Sequence, residues 1–105
     1  CMILGPSGQN IYPEEVETVV NSQPYVVDSL VIEDNGGLTA LIYPDFAAGA
    51  RDGMNQETFV KYMEGTLPEL NKELPNYAKL KKIEVMSEDF ERTPKKSIKR
   101  YLYQR

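Results

Sequence analysis

A cluster of basic residues stands near the end of this chain, in the stretch FERTPKKSIKRYLYQR at positions 90–105. Four cations fall within six positions there: Lys95, Lys96, Lys99 and Arg100. An ammonium group on a flexible stem can stabilise a phosphoryl or carboxyl oxygen in a transition state. The same residues would also suit the exposed last turn of a helix, where cations complement the helix dipole. Both interpretations stay open on these residues alone.

The charge balance bears on a third interpretation, a nucleic-acid patch built from the basic residues interleaved with Tyr101 and Tyr103. The chain carries 16 Asp and Glu against 12 Lys and Arg, a net charge of −4. Nucleic-acid modules are usually basic overall, so we expect no nucleic-acid partner. The chain has no histidine and a single cysteine. The composition therefore excludes the usual catalytic triads and an internal disulfide, and we expect no metal site.

A second stretch, LGPSGQNIYPEEVE, has more turn chemistry than a simple connection requires. One interpretation is a tight turn that leads into a capped helix. The other is a glycine loop whose backbone comes close to a ligand or to another domain. It lacks the glycine and lysine spacing of the common phosphate-binding loops. The candidate binding residues in it are Gly5, Ser7, Gly8, Gln9 and Asn10.

The elements that must position these two stretches can be predicted from local patterns. The Gly-Pro-Ser-Gly turn predicts a small hairpin, and Pro13 suits the first position of a helix that ends before Pro24. We interpret Glu14, Glu15 and Glu17 as partners of that helix dipole. Two β-rich runs on either side of Asn35-Gly36-Gly37 predict a second hairpin. Because both runs carry apolar residues on both faces, helices should cover at least one face.

The second half of the chain is predicted to be mainly helical around one further strand. Residues 45–55 are interpreted as a loop, and an apolar spacing of three and four from Asn55 to Leu74 predicts a helix broken near Gly65. The stretch KKIEVM predicts a third strand, and KKSIKRYLY a short final helix. The expected fold class is α+β, a small hairpin followed by a three-stranded sheet packed with helices in one domain, 1–105.

The two special stretches together resemble the C-terminal domain of the adenylate-forming, AMP-binding superfamily, most of all its long-chain fatty acid–CoA ligase branch. The resemblance covers nearly the whole chain and is weakest across 44–58. Residues of the first family motif are Ile3, Gly8, Asn10, Ile11, Pro13, Glu15, Val16 and Glu17. Residues of the second are Thr93, Pro94, Ile98, Lys99 and Arg100.

The resemblance implies a mobile lid domain cut from a larger enzyme, inactive as an isolated fragment. A carboxylate such as a fatty acid would attack ATP to give an acyl-adenylate, and CoA would then displace AMP. The missing N-terminal domain of the same polypeptide would bind ATP, Mg²⁺ and the acyl group, and would be the lid's partner. The lid would contribute a catalytic lysine in one pose and the glycine hairpin, lining the CoA tunnel, in the other. The hinge would lie at or beside Cys1.

One departure concerns the catalytic lysine itself, because the family position is occupied by Ser97. We expect Lys96 to replace it through a shifted loop or a one-residue change of register, with Lys95 and Lys99 as the other candidates. The rival hypothesis is that adenylation here is weak or managed differently. The alternatives are the lid of a non-CoA adenylating enzyme and a stand-alone nucleic-acid-binding or interaction module that uses the basic C-terminal tail. No apolar run reaches the roughly 20 residues that span a bilayer, so the expected setting is cytoplasmic, with peripheral membrane association open for the full-length protein.

Overall fold

The chain opens on the small hairpin that its turn sequence predicts. The structure, a computed structural model, describes residues 2–105, so the expected hinge at Cys1 lies outside the described residues. Strands β1 (Ile3–Leu4) and β2 (Asn10–Ile11) pair antiparallel. Gly8 has a φ of +84°, a left-handed conformation that side chains rarely adopt. The predicted hairpin is therefore confirmed, and glycine adopts the left-handed position at its tip without strain.

The first helix, α1 (Pro13–Asn21), begins directly after β2 with proline at its start. Proline is favoured there because the first turn has no use for its missing N–H. Glu14 and Glu15 lie exposed in the first turn, as expected for partners of the dipole. The interpretation is wrong for Glu17, which is buried on the same side as Val16 and Val20.

A three-stranded sheet forms the centre of the domain, in the order β3 (Val26–Asp34), β4 (Gly37–Pro44) and β5 (Leu80–Val85). The β3–β4 hairpin turns at Asn35 and Gly36, whose φ values are both positive, at 52° and 76°. Such a turn matches the twist of the two strands it joins. Strand β5 pairs parallel with β4, so the chain between them must cross over the sheet.

Three helices make this crossover: α2 (Phe46–Arg51), α3 (Gln56–Glu64) and α4 (Leu67–Lys72). The predicted break near Gly65 is confirmed. Asn55 caps α3, because its side chain accepts the Thr58 N–H at 2.8 Å. The prediction of a loop over 45–55 is wrong. Asp45 caps α2 by accepting the Ala48 N–H at 3.0 Å, and this short Ala- and Gly-rich helix carries no helical apolar spacing to reveal it.

Both faces of the sheet are covered, but by different parts of the chain. Helix α1 packs on β3, and α3 and α4 pack on β5, around one apolar core. The opposite face carries Leu30, Ile32 and Leu41, and the C-terminal segment covers it with Phe90, Ile98 and Tyr103.

The predicted final helix is wrong. Residues 92 and 98 pair as an isolated antiparallel bridge, and Arg100–Leu102 form a single 3-10 turn. The apolar side chains of this segment pack on the sheet from a chain that turns at Pro94 between the paired residues 92 and 98.

Candidate functional site: two exposed turns on one scaffold

The closing basic stretch forms a hairpin turn rather than a helix end. The Lys96 N–H donates to the Thr93 carbonyl at 2.8 Å, and the Thr93 N–H donates to the Ser97 carbonyl at 2.8 Å. Arg92 and Ile98 pair just below this turn. The side chains of Lys95, Lys96 and Ser97 are exposed at the tip. The turn therefore projects two ammonium groups and one hydroxyl away from the body of the domain.

Lys96 adopts a left-handed backbone conformation, with a φ of 70°. This conformation costs a residue with a side chain about 1–2 kcal/mol, because Cβ approaches the following carbonyl oxygen. The N-terminal hairpin has the same hydrogen bonds, from the Gly8 N–H to the Gly5 carbonyl at 3.0 Å and from the Gly5 N–H to the Gln9 carbonyl at 2.7 Å. The two turns share one geometry, with proline second, and Lys96 stands where Gly8 stands.

Arg92 ties the rising arm of the lysine turn to the sheet. Its Nη2 donates to Asp28 Oδ2 at 2.8 Å and to Asp89 Oδ1 at 3.2 Å, and its Nη1 donates to the Lys96 carbonyl at 3.2 Å. These carboxylates raise the pKa of Arg92, with the hydrogen bond to Asp28 as the largest cause. One guanidinium thus joins β3, the segment before the turn and the tip of the turn.

Arg100 ties the descending arm to α1. Its two terminal nitrogens donate to Glu17 Oε1 at 2.6 Å and Oε2 at 3.0 Å, a bidentate pair. Glu17 also accepts the Val31 N–H at 2.8 Å, and its side chain is 9% exposed. The hydrogen bond with Glu17 raises the pKa of Arg100. The helix that follows the glycine hairpin is therefore joined directly to the lysine turn.

The basic residues of the C-terminal stretch fall into two groups. Arg105 binds Glu84, at 2.9 Å between Nη2 and Oε1, and Asp34 at 3.0 Å. The contact with Arg105 lowers the pKa of Glu84 to about 2. The largest cause is the hydrogen bond from Arg105. Among residues 2–105, in contrast, the ammonium groups of Lys95, Lys96 and Lys99 have no carboxylate within ion-pair distance. The arginines hold the structure together, and the lysines are available to an external anion.

The glycine hairpin forms one wall of a groove of about 430 Å³. Gly5, Pro6, Ser7 and Gln9 line it on this side, and Gly36, Gly37, Tyr77 and Lys81 belong to the residues that line the rest. Asn10 lines a neighbouring, smaller cavity of about 120 Å³. Gly5 is buried, and a Cβ on it would meet Ile11 Cδ1 at 3.2 Å. The described residues of the lysine turn do not line this groove, so the chain presents two separate candidate surfaces.

Two properties of the described residues concern cofactors and membranes. Within residues 2–105, no three side chains of the types that bind metals come close enough together to hold an ion. The described helices are all too short or too polar to cross a bilayer.

Reasoning from the sequence missed Arg92 and misinterpreted Glu17 as a partner of the helix dipole. Arg92 directly precedes the recognised motif and carried no signal of its own. Glu17 did carry one, because positions 13, 16, 17 and 20 have helical spacing, which places Glu17 on the buried stripe of α1. An acidic residue on such a stripe indicates a buried cation partner.

The family model of the AMP-binding enzyme C-terminal domain matches residues 2–105, which include the glycine hairpin, the sheet and the basic turn. A search of curated proteins found no match. Solved structures with the same fold include a fatty acyl-CoA synthetase of Mycobacterium tuberculosis, with 24% identity over 96% of this chain and 18% of that chain and a TM-score of 0.63.

Two further structures extend the likeness. An o-succinylbenzoate CoA synthetase of Bacillus subtilis, bound to a product analogue, has 26% identity over 95% of this chain and 19% of that chain, with a TM-score of 0.66. The adenylation domain of a carboxylate reductase of Mycobacterium chelonae has 16% identity over 96% of this chain and 17% of that chain, with a TM-score of 0.76. This chain spans less than a fifth of the length of each. The chain belongs to the family of C-terminal domains of AMP-binding, adenylate-forming enzymes.

Proposed function

We propose that residues 1–105 are the lid of an AMP-forming acid–thiol ligase and act together with an N-terminal domain of the same polypeptide. Within these ligases we propose the long-chain fatty acid–CoA ligase branch, which the motif at positions 93–103 resembles. In the proposed reaction a carboxylate attacks ATP to give acyl-adenylate and pyrophosphate, and the thiol of CoA then displaces AMP. ATP, with Mg²⁺, would be held mainly by the N-terminal domain, as the motif resemblance implies.

The proposal rests on one observation. Two exposed ammonium groups lie on a turn whose two arms are both fixed to the rest of the domain by ion pairs. Lys95 and Lys96 are exposed at the tip, while Arg92 and Arg100 fix the arms to β3 and α1. A charge held in place before the reaction stabilises a transition state better than one that must first be ordered. A merely solvated basic turn would not need two arginine anchors, one of them with a buried carboxylate.

Lys96 is our candidate for the catalytic role, with Lys95 and Lys99 as alternatives. Ser97, at the family position, is exposed and its hydroxyl carries no positive charge. Lys96 is adjacent to it, and its carbonyl is held by Arg92 at 3.2 Å. In the proposed adenylation pose, the Lys96 ammonium balances the negative charge that develops on the phosphate and carboxylate oxygens.

The glycine hairpin is our candidate for the CoA-facing surface. Gly5, Ser7 and Gln9 line the groove, and Gly8 and Asn10 are exposed beside them. A turn without bulky side chains lets a narrow, extended ligand pass close to the backbone. In the second proposed pose, this hairpin lines the tunnel through which the thiol approaches. Cys1, next to the hairpin, is the proposed hinge.

The nucleic-acid alternative has less support. Arg100 and Arg105 are engaged with carboxylates, and the Tyr103 ring packs edge-on against Phe90 with centroids 5.3 Å apart. This leaves three lysines and Tyr101 for a strand of nucleic acid, on a domain whose net charge is −4. We propose a cytoplasmic setting, with any membrane association peripheral.

The test is carboxylate-dependent exchange of pyrophosphate with ATP, measured on the full-length polypeptide with a panel of carboxylates. The full-length protein should exchange with at least one of them, while the purified 105 residues should not. A preference for long acyl chains would support the ligase branch named here. Exchange by the 105-residue chain alone would contradict the proposal that an N-terminal domain is required for adenylation. Salt-sensitive binding of RNA by that chain, without exchange by the full-length protein, would favour the alternative.

A further inference from the structure

We infer that Arg92 is a positioning residue that sets where the Lys96 ammonium stands, an inference that rests on the proposed function above. Arg92 holds the Lys96 carbonyl at 3.2 Å through Nη1, while Nη2 is engaged with Asp28 at 2.8 Å and Asp89 at 3.2 Å. The guanidinium fork is planar and rigid, so the carboxylates that fix one nitrogen also fix the other. The position of the tip of the turn is thereby fixed relative to strand β3.

The position of the Lys96 carbonyl affects the direction of the Lys96 side chain. Lys96 is the residue with a φ of 70°, so its peptide planes decide how the turn closes and in which direction Cβ leaves the backbone. Within the described residues, the Lys96 ammonium has no hydrogen-bonded partner, so the lid itself directs it through the backbone alone. Among the described residues, Arg92 is the one whose side chain donates a hydrogen bond to the Lys96 carbonyl. Its loss should therefore move the ammonium without removing it.

The effect of Arg92 on the turn can be separated from an effect on folding, because the descending arm of the turn is held by contacts of its own. Ile98 packs on the sheet, and Arg100 is paired with the buried Glu17, so the descending arm stays in place when Arg92 is changed. The Arg92–Asp28 pair is itself half-buried, with both side chains 28% exposed. Pairs of this exposure contribute little to stability. We expect the main consequence of losing Arg92 to be local disorder at the tip.

The activity test uses the full-length polypeptide and separates the two half-reactions. Arg92→Gln should slow acyl-adenylate formation by roughly tenfold to hundredfold, the size expected when a reacting group is misplaced by about 1 Å. The KM for ATP and the transfer of a preformed acyl-adenylate to CoA should stay within about threefold. Arg92→Lys should not restore the rate, because one ammonium cannot reproduce the two-nitrogen fork.

The matched control is Arg105→Gln, which removes another arginine bound to two carboxylates, at the far end of the same segment. Both half-reactions should be unaffected by this change. Equal losses in adenylation and transfer for Arg92→Gln, or a full recovery with Arg92→Lys, would overturn the inference. The first result would indicate a structural role, and the second a need for charge alone.

A second measurement is independent of ligase activity. Trypsin cleaves after lysine, so the rate of cleavage after Lys95 and Lys96 in the folded 105-residue chain reports the order of the turn. That rate should rise at least fivefold in Arg92→Gln and stay unchanged in Arg105→Gln. An unchanged rate in Arg92→Gln would overturn the inference. Cleavage could be faster in Arg92→Gln while the full-length wild-type protein forms no acyl-adenylate. That result would overturn the proposed function and retain the role of Arg92 in ordering the turn.

Discussion

Lys96 occupies in the 93–97 turn the position that Gly8 occupies in the 5–9 turn. The two turns close with the same pair of hydrogen bonds, and both residues have left-handed backbones, with φ values of 70° and 84°. Glycine adopts this conformation without strain, whereas lysine does not. A strained residue tends to persist where a function requires its side chain. This relationship singles out Lys96 among the three lysines of the stretch.

The first prediction concerns this strain. Lys96→Gly should raise the free energy of unfolding of the 105-residue chain by up to about 1 kcal/mol, because relief of the left-handed strain outweighs the entropy that glycine adds to the unfolded state. Urea denaturation measures it. The matched control is Lys95→Gly, next to it and without a positive φ, which should lower the free energy by about 0.5–1 kcal/mol. Equal destabilisation by both changes would contradict the assignment of strain to Lys96.

The second prediction concerns the buried ion pair of Glu17 and Arg100. Glu17→Ala should lower the free energy of unfolding by about 3 kcal/mol, because the Arg100 charge and the Val31 N–H would both lose their partner. Glu15→Ala, an exposed carboxylate of the same helix, should cost less than about 1 kcal/mol. The double variant Glu17→Ala with Arg100→Met should recover part of the loss. Additive losses would indicate that the two side chains do not act as a pair.

The third prediction concerns acid stability. Arg105 lowers the pKa of Glu84 from an ordinary value of 4.5 to about 2. A carboxyl with a lowered folded-state pKa stabilises the fold fully above about pH 4.5, and this contribution is lost as the pH falls through 2. For a surface pair the loss should be about 1 kcal/mol, since solvent screens it.

Urea denaturation at several pH values from 5 to 2 measures that loss. The Glu84→Gln variant should show a shallower decline over this range than the wild type. Glu88→Gln, which changes an exposed loop carboxylate, should follow the wild-type curve. If the Glu84→Gln and wild-type curves run parallel, the ion pair at the sheet edge contributes no pH-dependent stability.

Elements defined by local chemistry could be predicted from the sequence. The Gly5–Gln9 turn, the Pro13 helix start and the Asn35–Gly36 hairpin each rest on residues whose backbone preferences act within a few positions. Helix α2 and the hairpin turn of 93–97, which stands where a helix was predicted, could not be predicted. The first depends on a cap and on contact of Gly49 with Phe59, and the second on an apolar sheet face that needed a cover.

The residues of the candidate site likewise divide into those that could be predicted from the sequence and those that could not. The lysines and the glycine turn are visible as motifs, because they are local in sequence. Their anchors are not, since Arg92 meets Asp28 across 64 positions and Arg100 meets Glu17 across 83. Long-range ion pairs leave no spacing pattern in a single sequence. The burial of Glu17 was the one available signal, through its place on the buried stripe of α1.

We expect the Lys96 ammonium to supply the charge that, by the motif resemblance, belongs at the position of Ser97. The most direct test is the rate of pyrophosphate release in the full-length polypeptide after Lys96→Ala, beside Lys95→Ala and Lys99→Ala. We predict a loss of more than roughly 10²-fold for Lys96→Ala alone, the size of one preorganised donor. A loss under about threefold, with Lys95→Ala or Lys99→Ala abolishing the reaction instead, would contradict it.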